Sequence, residues 1–143
     1  RKLKDPVFVL QAHQKACSNV VFSPHIANMM CTSSTDGTVR VWDIAANGGT
    51  DPQEISHRNM KQGELFTLQF CQDIPWVLAT AGSQGELAIW DVSENEKIEN
   101  HFKPYLIKGT YNEADYDEHA PRESNEAGFE DMEDGPEQSD DSD

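Results

Sequence analysis

Val39-Arg-Val-Trp-Asp43 and Leu87-Ala-Ile-Trp-Asp91 close two stretches of the chain that match at a constant offset of 48 residues. Cys31-Thr-Ser-Ser-Thr-Asp-Gly37 falls on Ala79-Thr-Ala-Gly-Ser-Gln-Gly85, Val20 on Leu68 and Phe22 on Phe70. Each copy alternates apolar and polar side chains with period two, the pattern of a half-buried strand. In the first copy Val39 and Val41 share one face, and Arg40 and Trp42 share the other. A unit repeated at this interval cannot bury both of its faces alone, so two copies imply stacked neighbours beyond them.

Working outward from these ribbons, the chain reads as short strands separated by turns. Val7 to Leu10 is an apolar run after Pro6, and Ser18 to Ser23 is a strand that Pro24 ends. Asn28 to Ser34 and Thr38 to Asp43 flank Ser34-Thr-Asp-Gly37, a hairpin turn whose Gly accepts a positive φ. Asn47 to Pro52 is a loop, and Gln53 to His57 is a polar outer strand. The second copy repeats the order with strands at Leu65 to Cys71, Trp76 to Ala81 and Glu86 to Asp91, and a weak outer strand at Lys97 to Phe102. A period of about 40–50 residues with this content is that of β-propeller blades.

The formal charge of −15 is concentrated at one end: residues 113–143 hold 14 acids against Arg122 alone, and the other 112 residues carry a net −2. Apolar residues are isolated in residues 112–143, which read as a disordered acidic tail. Cys17, Cys31 and Cys71 are odd in number and lack CxxC spacing, so they read as free thiols of a reducing compartment. No apolar run approaches the ~18 residues of a membrane span. The expectation is a soluble intracellular protein with no membrane partner. The histidines show no metal-ligand spacing, and neither a nucleophile elbow nor a phosphate-binding glycine loop occurs. The expectation is therefore no catalytic residue, no metal and no cofactor.

Residues 12–91 resemble the WD40 superfamily. That resemblance implies an all-β class: a WD40 β-propeller fragment of about two four-stranded antiparallel blades. Residues 1–102 would hold the blades, with 7–10 as the outer strand of a preceding blade, 12–57 as one blade and 58–102 as the next. Residues 103–111, KPYLIKGTY, would be a docking segment, against a blade or a partner. The resemblance also implies a structural tetrad in each blade: His13, Thr32, Asp36 and Trp42 in the first. In the second, His57, Thr80 and Trp90 match, but Gln84 stands in the Asp position.

The second copy, SHRNMKQGELFTLQFCQDIPWVLATAGSQGELAIWDVS at 56–93, is similar to the final blade of the periodic tryptophan protein 1 family. That family implies a scaffold of large ribosomal subunit assembly in the nucleus and nucleolus, with pre-ribosomal proteins and pre-rRNA as partners. Arg58, Lys61, Trp76 and Tyr105 are the candidate partner-binding residues. For Trp76 core packing and a partner-facing role both stay open. The acidic tail would engage basic proteins, such as ribosomal proteins or histones. Two alternatives follow from the generic first repeat: a histone or chromatin adaptor, and a ubiquitin-ligase substrate receptor.

Overall fold

The computed structural model describes residues 6–112. The acidic segment 113–143 and the basic start at Arg1, Lys2 and Lys4 lie outside the described residues. Two antiparallel sheets carry the fold. The first joins β1 (Cys17–Phe22), β2 (Met29–Ser34), β3 (Thr38–Asp43) and β4 (Gln53–Asn59) in the order β1-β2-β3-β4. The second joins β5 (Leu65–Phe70), β6 (Val77–Gly82) and β7 (Leu87–Asp91) in the order β5-β6-β7. The repeat extends to register: Met30 pairs with Trp42 as Leu78 pairs with Trp90, and Thr32 pairs with Arg40 as Thr80 pairs with Ala88.

Register fixes which residues share a face, because side chains alternate along each strand. The inner face of the first sheet carries Val21, Cys31, Val39 and Val41, and the facing surface of the second carries Leu68, Phe70, Leu78 and Trp90. These two surfaces share one apolar core with Met29, Leu65 and Trp76. Asn19 Nδ2 donates to the Leu68 carbonyl at 3.0 Å and links β1 to β5 across the joint. Cys31 is sealed in this core, and burial alone pushes its thiol far above the ordinary range. All three cysteines are free.

Two turns set the hairpins. Gly37 at φ 86° and Gly85 at φ 78° take the left-handed conformation that other residues resist. Gly37 has a second reason to lack a side chain: a Cβ would stand 2.9 Å from the Gly63 carbonyl.

Two expected strands are absent. Val7 to Leu10 takes no regular structure, with Val7 and Val9 exposed. Lys97 to Phe102 lies in a helix, α1 (Glu96–Phe102), so the second sheet has three strands. The helix has a local cause: Asn95 accepts from the Lys97 and Ile98 amides, and Glu96 and Glu99 suit the amino-terminal turn. Ile98 and Phe102, four apart, bury the same stripe. The helix packs back on the first sheet. His101 Nε2 lies 2.7 Å from Asp43 Oδ2, and Asn95 Nδ2 donates to Ser56 Oγ at 2.8 Å.

Segment 103–111 continues along the same sheet. Leu106 forms a β-bridge with Ile26, the Ala27 amide donates to Tyr105 O at 2.9 Å, and the Ile107 amide donates to His25 O at 2.8 Å. His25 is buried between Thr110 Oγ1 at 3.0 Å and the Gln72 carbonyl at 2.6 Å. No helix among the described residues is long and apolar enough to cross a membrane.

Phe102 is fully buried and ties this segment to the core. Phe102→Ala is expected to lower unfolding free energy by about 3–5 kcal/mol, the range of large-to-small core truncations, read from urea melts.

Candidate functional site

The polar centre of the first sheet is built around a buried indole. Trp42 Nε1 donates to Thr32 Oγ1 at 3.0 Å. Thr32 Oγ1 lies 2.8 Å from His13 Nε2, and His13 Nδ1 lies 3.0 Å from Asp36 Oδ2. An ionised carboxylate only accepts, so Nδ1 carries the ring proton, and Nε2 accepts from the threonine hydroxyl. Every group then has a partner in one directed chain from indole to carboxylate. It spans the loop before β1, strand β2, the β2–β3 turn and strand β3.

Asp36 is also held by Thr38, whose Oγ1 and backbone N–H donate to Oδ1 at 2.6 and 2.8 Å. Partial burial raises the Asp36 carboxyl, but the Thr38 side-chain and backbone bonds and the His13 bond together outweigh it, leaving a net value below the usual carboxylate range. The chain has the outline of a hydroxyl–imidazole–carboxylate relay. Thr32, however, is only 3% exposed and its hydroxyl is already bonded to the indole, so the group is closed to substrate. The arrangement fastens four segments together.

The second sheet corrects one tetrad assignment. His57 does not reach Thr80. It is exposed on β4 and binds Glu54 Oε1 at 2.9 Å, beside Arg40, whose Nη1 contacts both Glu54 oxygens at 3.1 Å. The place beside Thr80 is filled by Gln62, which is 2% exposed. Thr80 Oγ1 donates to Gln62 Oε1 at 2.6 Å, and Gln62 Nε2 donates to the Glu86 carbonyl at 3.0 Å. The physical reason is that β4 runs to Asn59, so His57 lies inside a strand and points away from the second sheet. Gln62 precedes β5 by nearly the distance that His13 precedes β1, and an amide supplies both an acceptor and a donor there. A search for histidine alone misses it. Trp90 is roofed by the Arg58 guanidinium, 5.5 Å from the ring centroid.

The four partner-binding candidates do not converge. Arg58 is engaged with Trp90 and lies 3.8 Å from Glu94. Trp76 is 1% exposed, so a partner-facing role is corrected to core packing; Pro75 and the turn before β6 fold it inward. Its indole nitrogen has no protein partner. Lys61, at φ 56°, sits on the turn end of the sheets with Lys15, Asp36, Asn59 and Glu64. Tyr105 is 40% exposed at the opposite end, beside Ala27. Among the described residues no group of three or more His, Cys, Asp or Glu side chains could hold a metal ion.

With this geometry in hand, the likeness to known proteins is informative. The family described as "WD domain, G-beta repeat" matches residues 4–43. An uncharacterized WD repeat-containing protein of Schizosaccharomyces pombe is 30% identical over 105 residues, covering 72% of this chain and 20% of that protein. Periodic tryptophan protein 1 of Saccharomyces cerevisiae is 28% identical over 109 residues, covering 72% of this chain and 19% of that one. The transport protein Sec31 of Chaetomium globosum is 34% identical over 70 residues, covering 49% of this chain and 6% of that one. The chain thus spans about a fifth of the length of the first two.

Gln62→Ala strands the Thr80 hydroxyl and the Glu86 carbonyl, at an expected cost of about 1–3 kcal/mol in denaturant melts, whereas His57→Ala is expected to stay within about 0.5 kcal/mol. Asp36 adds a pH signature. Its folded carboxyl value lies below the unfolded one, so its stabilisation is present above the unfolded value and lost as pH falls through the folded one. Asp36→Asn is expected to flatten the acid limb of a stability-against-pH curve and leave its neutral-to-basic shape unchanged.

Proposed function

We propose that this WD40-repeat chain belongs to a non-catalytic scaffold that assembles the large ribosomal subunit in the nucleus and nucleolus. The observation that carries this reading is the similarity to periodic tryptophan protein 1 across 72% of the chain, including the second repeat. The hydrogen-bonded centres support it, because they are buried fastenings and not reactive sites. Binding would then come from the rims, where turns and loops on a rigid sheet frame are free to meet partners.

The two ends of the sheets offer different chemistry. The turn end presents Lys15 and Lys61 beside Asp36 and Glu64, a mixed-charge surface suited to protein or to isolated RNA phosphates. The other end leads into the segment whose 14 acids attract basic proteins, ribosomal proteins first among them. Similarity to Sec31 favours a second reading, a scaffold for protein transport.

The readings separate by what travels with the protein. The tagged protein is expected to sediment with large-subunit precursors and their rRNA in a salt-resistant way. Truncation after Tyr111 is expected to weaken that association without abolishing it. Co-purification with core histones and no rRNA would favour a chromatin adaptor, and co-purification with protein-transport components and no rRNA would favour the Sec31-like reading.

A further inference from the structure

Asn47-Gly48, in the loop that joins β3 to β4, is the one place in this sequence where glycine follows asparagine. The other asparagines precede Val, Met, Glu or His. Both residues of the pair are left-handed, Asn47 at φ 52° and ψ 36° and Gly48 at φ 74° and ψ 16°, as at the centre of a type I′ turn. Both are exposed. A Cβ built on Gly48 would meet no atom within 4 Å, so no packed neighbour crowds its backbone. Two hydrogen bonds hold the turn. Thr50 Oγ1 donates to Asn47 O at 3.0 Å, and Asn47 Nδ2 donates to Asp51 O at 3.0 Å.

We propose that Asn47 is a site of self-modification, deamidated through attack by the Gly48 amide nitrogen, and that the Thr50 hydroxyl restrains the reaction in the native turn. The Gly48 nitrogen gives its proton to a solvent base and bonds to Asn47 Cγ. The Cγ–Nδ2 bond breaks, and Nδ2 takes a proton from water and leaves as ammonia. The product is a five-membered succinimide. One water then opens it. Attack at Cγ leaves aspartate; attack at the main-chain carbonyl carbon leaves isoaspartate, with the backbone rerouted through the side chain.

Glycine permits this closure because its nitrogen carries no neighbouring Cβ to obstruct the approach. The turn is already part-way prepared. Ring closure keeps the positive φ of Asn47 and needs the peptide between Asn47 and Gly48 to turn over, the change from type I′ to type II′. That flip carries Asn47 O away from the Thr50 hydroxyl, so the Thr50 bond must break first. Thr50 is therefore a positioning residue that holds the unreacted form.

Either product places a carboxylate where Nδ2 donated, so the Asp51 carbonyl loses its partner. Isoaspartate also lengthens the main chain between β3 and β4 by one methylene. The Ile44 amide at the start of this loop donates to Asn28 O at 3.0 Å, so the change falls beside the turn that carries His25 and Ile26. This inference does not depend on the ribosomal reading.

Peptide mapping with electron-transfer fragmentation, after incubation of the purified protein at physiological temperature and mildly alkaline pH, tests it. Asn47 is expected to convert to a mixture of isoaspartate and aspartate ahead of every other asparagine. Conversion is expected to quicken as pH rises, because the deprotonated nitrogen is the nucleophile. Thr50→Val is expected to speed native conversion about two- to tenfold, the effect of one lost hydrogen bond. In concentrated urea the restraint is gone, and the variant and the unaltered protein are expected to convert alike. Asn47 intact while another asparagine converts, aspartate without isoaspartate, no acceleration in Thr50→Val, or the same acceleration in urea would overturn the proposal.

Discussion

A buried indole nitrogen that lacks an acceptor costs on the order of 1–3 kcal/mol, and the polar centre of the first sheet is organised around meeting that demand at Trp42. In the first sheet Trp42 is answered by Thr32, Thr32 by His13 and His13 by Asp36. Each answer recruits a different segment, so satisfying one N–H fixes the entry loop, two strands and a turn together. In the neighbouring sheet the equivalent threonine, Thr80, donates to Gln62, an amide in place of an imidazole and carboxylate. A side chain that both donates and accepts is the requirement. Its chemical identity can vary.

That distinction explains what could be read from the amino-acid order. The strands and their pairing were legible because period two, the Asp-Gly turn and the 48-residue offset are local signals in which every level agrees. The set around Trp42 came from the resemblance to the WD40 superfamily, which implies those four positions, and not from local pattern alone. Gln62 is not legible from residue type, because the role is defined by donor and acceptor atoms and the family pattern places a histidine there. His57 lies inside β4, paired with Arg40 on the face turned away from the second sheet, so it cannot take that place.

The helix at residues 97–102, where the sequence suggests a strand, has another origin. Lys-Ile-Glu-Asn-His-Phe carries no strong strand or helix preference. What decides it is Asn95 capping the first turn and a core that accepts Ile98 and Phe102 on one stripe. The core exists only after two sheets have packed, so the deciding information is tertiary. The same packing turns 103–111 back onto the loop at His25. Trp76 follows suit: flanked by a proline and a strand, its exposure depended on the second sheet closing over it.

Cys31 carries a consequence of its own. Its sulfur sits at the joint of the two sheets with no exposure, whereas Cys17 is open to solvent in every molecule. An alkylating reagent can therefore reach one thiol at all times and the other only while the sheets are parted. The ratio of the two labels counts opening events, so the chain contains its own clock for breathing along the seam.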